Sequence, residues 1–88
     1  MPEYKITFAR SARKELEKFS PHIAERILDR LEDLGAEPRS SGALKLKGEQ
    51  GLWRIRVGDY RIVYTIDDRR KTVDVSLVRH RKDVYRDI

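Results

Sequence analysis

A two-layer α+β domain is the fold this chain predicts, and three observations carry the prediction. Residues 11–34 hold two amphipathic helical patterns separated by a short Ser20-Pro21 joint. The flanking segments alternate apolar and polar residues with a period of two, the mark of a half-buried strand. Between residues 52 and 66, two such runs meet at Gly58-Asp59, a two-residue Gly-X loop that closes a β-hairpin. A helical hairpin with one apolar side and a sheet with one apolar face bury those surfaces by covering each other. The expected order is β-α-α-β-β-β: an N-terminal strand, an antiparallel helical hairpin, a mainly antiparallel sheet and a short helical turn in the tail. The 88 residues show no internal repeat and no linker, so residues 1–88 read as one domain with a modest core.

The first strand spans residues 4–8, with Tyr4, Ile6 and Phe8 on one face. A first helix follows over residues 11–19, with Ser11 as its N-cap and Leu16 and Phe19 on its apolar stripe. Ser20 and Pro21 start the second helix: Ser accepts a hydrogen bond from an orphan amide, and Pro suits the first helical position. Its stripe is Ile23, Ile27, Leu28, Leu31 and Leu34. Gly35 is placed to stop it in the left-handed conformation, with Pro38 just beyond. Residues 39–42 form a loop and 44–47 a short alternating strand. After the central hairpin, residues 67–71 make a polar turn. The last strand covers 72–79, with Val73, Val75 and Leu77 inward.

The central hairpin fixes the chemistry. Its register pairs Val57 with Tyr60, Arg56 with Arg61, Ile55 with Ile62 and Arg54 with Val63. Trp53, Ile55, Val57, Tyr60, Ile62 and Tyr64 then share one face, and Arg54, Arg56 and Arg61 share the other. Like charges directly opposite each other cost about 0.2–1 kcal/mol in a sheet. A sequence that gathers three guanidinium groups on one small patch points to an anion site there. Lys45 and Lys47 alternate away from Leu44 and Leu46 and are expected to extend the basic track. For Arg79, strict alternation sets the side chain on the apolar face with Leu77, and a bulge would swing it outward.

The charge is unevenly spread. Residues 1–44 carry 8 Lys+Arg and 8 Asp+Glu, whereas residues 45–88 carry 12 and 7, so the net +5 lies wholly in the strands and tail. Localised basic charge is the electrostatic footprint of a nucleic-acid binder. There are no cysteines, which excludes disulfides and thiolate metal sites and fits a reducing, cytoplasmic compartment. His22 and His80 stand apart and give no metal-ligand spacing. The N-terminus lacks the basic-then-apolar order of a signal peptide, and no apolar run approaches the roughly 20 residues of a membrane helix.

Three runs carry a family resemblance: Leu44-Lys-Leu-Lys-Gly48, then Trp53-Arg-Ile-Arg-Val-Gly-Asp-Tyr-Arg-Ile-Val-Tyr64, then Arg79-His-Arg-Lys-Asp-Val-Tyr85. In this order the chain resembles the RelE/ParE toxin superfamily, on its RelE side. The resemblance implies a toxin of a type II toxin–antitoxin pair, with a cognate RelB-like antitoxin. It implies an endoribonuclease that cuts mRNA in the A site of the 70S ribosome without a metal or other cofactor. The 2′-hydroxyl attacks the adjacent phosphate, leaving a 2′,3′-cyclic phosphate and a 5′-hydroxyl. Matched residue by residue, the family's catalytic positions fall on Arg54, Arg56, Arg61, Arg79 and Tyr85. Two departures stand out. Arg54 and Arg56 replace lysines, and arginine stays protonated and so does not serve as a base. His80 replaces an acidic residue.

Such a reaction needs a base for the 2′ proton, an acid for the leaving oxygen, and donors for the dianionic phosphorane. Arg56 and Arg61 suit the last role, because a guanidinium fork matches two phosphate oxygens. Tyr85, with its phenol beside arginines, is the first candidate for proton transfer, and His80, with an imidazole able to carry a proton, is the second. Arg81, with Lys45 and Lys47, is expected to hold RNA phosphates without reading sequence. Two other functions remain open on the residues: a ParE-like gyrase inhibitor that cuts nothing, and a simple RNA-binding module. An antitoxin is expected either to cover Arg54, Arg56 and Arg61 or to displace the tail at residues 83–88.

Overall fold

The computed structural model describes residues 3–47 and 51–80. Its elements are β1 (Lys5–Phe8), α1 (Arg10–Lys18), α2 (Pro21–Ala36), β2 (Leu44–Lys45), β3 (Leu52–Val57), β4 (Tyr60–Asp67) and β5 (Thr72–His80). The five strands form one sheet in the order β1-β5-β4-β3-β2. All neighbours are antiparallel except β1 and β5, which run parallel. The expected α+β architecture is therefore present, and the short strand expected at residues 44–47 is β2, two residues long beside the central hairpin. Of the tail expected to make a helical turn, residues 80–88, His80 instead ends β5, and residues 81–88 lie outside the described residues.

Both helices cover one face of the sheet. Ala12 of α1 and Ile27, Leu31 and Leu34 of α2 meet Ile55, Ile62, Tyr64, Val73, Val75 and Val78, and all are buried. Burying a side chain the size of Leu or Ile contributes about 1.5–3 kcal/mol, so this cluster orients the two layers. Tyr64 is the largest member. Its hydroxyl donates to the Pro38 carbonyl at 2.8 Å, which satisfies the one polar atom it carries inside. Burial pushes the Tyr64 phenol up to about 12.

Several local expectations give way to tertiary structure. The N-cap of α1 is Ala9, with no side-chain cap, and Ser11 instead donates to the Ser76 carbonyl at 3.5 Å. The first helix therefore starts a residue early, held by the Ala9 amide bonding the Val75 carbonyl at 2.8 Å. Ser20 does cap α2, accepting from the Ile23 amide at 3.4 Å, with Pro21 in the first turn. Gly35 is not the stop: it is helical and buried, and α2 ends at Ala36 with Glu37 in an extended conformation. The Gly35 carbonyl accepts from the Tyr4 amide at 2.9 Å, so its job is to anchor the chain just before β1.

The last strand departs from strict alternation. Val63 pairs with Leu77 but Tyr64 pairs with Val75, so Ser76 is an extra residue on β5. A bulge of this type shifts every later side chain to the opposite face. Leu77 consequently joins Val63 on the outer face, and Val78 takes the buried place expected of Leu77.

Candidate nucleic-acid interface

The arginine site is built on the β3–β4 hairpin. Gly58 takes φ +59, a value that glycine adopts at no steric cost at the first position of a two-residue turn. That turn fixes the register Val57↔Tyr60, Arg56↔Arg61, Ile55↔Ile62 and Arg54↔Val63, as the sequence predicts. Ile55 and Ile62 are fully buried, so Arg54, Arg56 and Arg61 project from the other face.

The bulge at Ser76 adds a fourth guanidinium. Arg61 pairs with Arg79 in the β4–β5 ladder, which puts Arg56, Arg61 and Arg79 in one row across three adjacent strands. Neighbouring strands lie about 4.8 Å apart, so the row presents positive charge over a span matched to a phosphodiester. Arg54 stands two residues along β3 from Arg56. Burial, then the nearby Arg61 and Arg56 charges, lower its pKa from the ordinary arginine value. Among the described residues no carboxylate lies within ion-pair distance of Arg54, Arg56 or Arg61. Arg79 differs: its Nη1 lies 3.2 Å from Oε1 of Glu15 on α1. β1 ends opposite Val75, and α1 packs along the rest of β5 from there.

The remaining expected residues fall elsewhere. Lys45 pairs with Trp53, and Leu44 with Arg54. The expected basic track is thus corrected: Lys45 stands on the helix side of the sheet, and Leu44, 53% exposed, stands beside the arginines. The β2–β3 register sets this, and the alternation of residues 44–47 alone does not fix it. Lys47 is exposed and lies past the end of β2. His80 pairs with Tyr60 and meets its ring edge-on, with centroids 5.1 Å apart, on the face opposite Arg79. Phe19 packs against the same tyrosine at 4.7 Å. Arg81 and Tyr85 lie outside the described residues.

Sequence reasoning missed two features. Glu15 as partner to Arg79 depends on α1 packing along β5, which no local pattern signals. Arg26 and Arg30 of α2 line a second depression with Arg56 and Gly58, and their i, i+4 spacing on the polar side of the helix was the available hint.

The profile of the family described as "ParE toxin of type II toxin-antitoxin system, parDE" matches residues 6–85. The toxin RelG of Mycobacterium tuberculosis is 36% identical over 84 residues, covering 94% of this chain and 97% of that one. Among solved structures, the M. tuberculosis toxin–antitoxin complex RelBE2 matches with a TM-score of 0.79 and 34% identity over 90% of this chain and 99% of that one. The isolated E. coli RelE toxin matches with a TM-score of 0.77 and 26% identity, over 97% of this chain and 99% of that one.

Proposed function

Because the chain belongs to the ParE toxin family of type II toxin–antitoxin systems, within the RelE/ParE superfamily, we propose that it is a RelE-like endoribonuclease that cuts mRNA in the ribosomal A site. The observation that carries this reading is the in-register row Arg56–Arg61–Arg79, with Arg54 beside it. An RNA phosphodiester seated on that row has its non-bridging oxygens facing several guanidinium forks. The 2′-hydroxyl loses its proton and attacks phosphorus, and the P–O5′ bond breaks. The 5′ oxygen takes up a proton, leaving a 2′,3′-cyclic phosphate and a 5′-hydroxyl. As the phosphorane becomes a dianion, preorganised donors gain strength, and each is worth about 2.7–4 kcal/mol of barrier in comparable sites.

Arginine does not take the proton-transfer roles. In this proposal Tyr85 carries one of them, since His80 sits behind the sheet against Tyr60. Glu15 fixes Arg79 at the end of the row and offsets part of the repulsion among the four cations. Arg81 and Lys47 contribute phosphate contacts that position the RNA.

A RelB-like antitoxin is the proposed partner, in line with the RelBE2 complex among the similar structures. It would present carboxylates to the arginines. Its apolar side chains would meet Leu44, Val63 and Leu77, which share the arginine face by register.

The competing reading, a gyrase inhibitor that cuts nothing, draws on the ParE name of the matching family. Inducing the protein and mapping transcript ends separates the two. Cuts within translated regions, bearing 5′-hydroxyl ends, are expected. Intact mRNA alongside gyrase-linked DNA damage would overturn the nuclease reading. Tyr85→Phe is expected to slow cutting while sparing ribosome binding, and unchanged cutting removes Tyr85 from the mechanism.

A further inference from the structure

Arg56 is the shared wall of two depressions. One lies at the hairpin tip and is completed by Gly58, Asp59, Tyr60 and Arg61, with the Asp59 carboxylate on the turn itself. The other lies around the edge of β3, where α2 brings up Arg26 and Arg30 with Asp29 and Asp33. Among the described residues β2 pairs only with Trp53 and Arg54, so Ile55 to Val57, paired with β4 on one side, have no strand on the other.

The four α2 residues are not equivalent. The Arg30 guanidinium is held by Ser40 Oγ at 3.3 Å and the Ser41 carbonyl at 3.1 Å. Arg26 has no such anchor among the described residues, nor an acid within ion-pair distance. Its guanidinium lies over the turn: a Cβ on Gly58 would stand 3.5 Å from Nη2 and 3.8 Å from Nη1. Gly58 closes the hairpin through its positive φ, and the Arg26 guanidinium rests at van der Waals distance from where that Cβ would stand. Asp29 and Asp33 bound the site on the helix side, so a polyanion is repelled from running on along α2.

We propose that Arg26 and Arg56 form a second phosphate subsite at the open edge of β3. Single-stranded RNA then crosses the hairpin tip, with one phosphate on the outer sheet face and a neighbouring phosphate around the edge. The subsite rests on the ribonuclease reading above and extends it. Arg26 binds RNA here and takes no part in bond breaking. The row on the sheet face holds the reacting phosphate, and the edge subsite sets the direction in which the chain leaves it.

The test is binding of a short 2′-O-methyl RNA oligonucleotide, which cannot be cut, across a salt series. Wild type, Arg26→Gln and Arg61→Gln are compared, each checked for a wild-type melting curve. Losing one phosphate contact on a single strand lowers the slope of log K against log salt by about 0.7. Arg26→Gln is expected to weaken binding several-fold and to reduce the slope by about that amount, and Arg26→Lys to restore most of both. Weaker binding with an unchanged slope would mean that Arg26 only braces the turn, which overturns the subsite. Unchanged binding in Arg26→Gln with weakened binding in Arg61→Gln also overturns it and leaves the ribonuclease reading standing. Wild-type binding by both variants overturns both.

Discussion

Arginines at the two ends of the central strands live in opposite circumstances. At the β4–β5 turn, Arg39 makes two hydrogen bonds to Asp68, at 3.1 and 2.8 Å, and its guanidinium lies 5.6 Å from the centre of the Trp53 ring. Tyr4 donates to the same carboxylate at 2.6 Å, and Lys71 stands over the Tyr4 ring. This cluster ties the start of the chain, the loop after α2 and the β4–β5 turn together. At the hairpin end, Arg54, Arg56 and Arg61 have no carboxylate partner among the described residues. The same side chain staples the fold where an acid answers it and is left to meet an anion where none does.

Substitutions on the two ends should therefore separate function from stability. Arg56→Ala is expected to lower the rate of mRNA cutting by about 10²–10³-fold, the cost of one preorganised donor. Its melting temperature should hold or rise slightly, because the like-charge pair with Arg61 is relieved. A large drop in stability would mean that the arginine face is structural. The residue behind Arg61 gives the converse. Ile62→Ala opens the core and should cost about 2–5 kcal/mol, read by denaturant unfolding.

Smaller effects come from the titrating groups. Tyr64→Phe loses the bond to Pro38, worth about 1 kcal/mol. The Tyr64 phenol is raised from 10.0 to about 12 in the folded chain, so its contribution is present below pH 10 and is lost as pH rises towards 12. The variant should show a flatter alkaline stability profile than wild type. Asp68 moves the other way. The hydrogen bond from Arg39, then that from Tyr4, hold its carboxyl down at about 2. Its contribution is present above the ordinary carboxylate range and is lost as pH falls from about 4 towards 2. Asp68→Asn should blunt the acid limb of the melting curve and leave cutting intact. This is the smallest effect expected, since the pair is exposed to solvent.

What the sequence disclosed follows the range of the forces involved. The hairpin register, the two hairpin faces and the Ser20 cap depend on residues a few positions apart, and alternation with turn chemistry is enough to read them. The places of Leu77 and Val78 depend on one extra residue at Ser76, and a strict period of two passes over it. Lys45 faces the helices because of how β2 docks on β3, a pairing that the loop between them leaves free. Glu15 with Arg79 and Tyr4 with Asp68 join residues 64 positions apart in each pair, beyond any local pattern. The arginine cluster was legible because it lies on a hairpin. The neighbours that orient it were not, because they arrive from the helices.

Arg61→Ala and Arg39→Ala, compared side by side for cutting of ribosome-bound mRNA and for thermal melting, test the division of labour most directly. The expected result is that Arg61→Ala stops cutting with its melting curve unmoved, while Arg39→Ala cuts at the wild-type rate and melts earlier. Wild-type cutting by Arg61→Ala, or the same loss in both variants, would contradict the assignment of the sheet face to RNA.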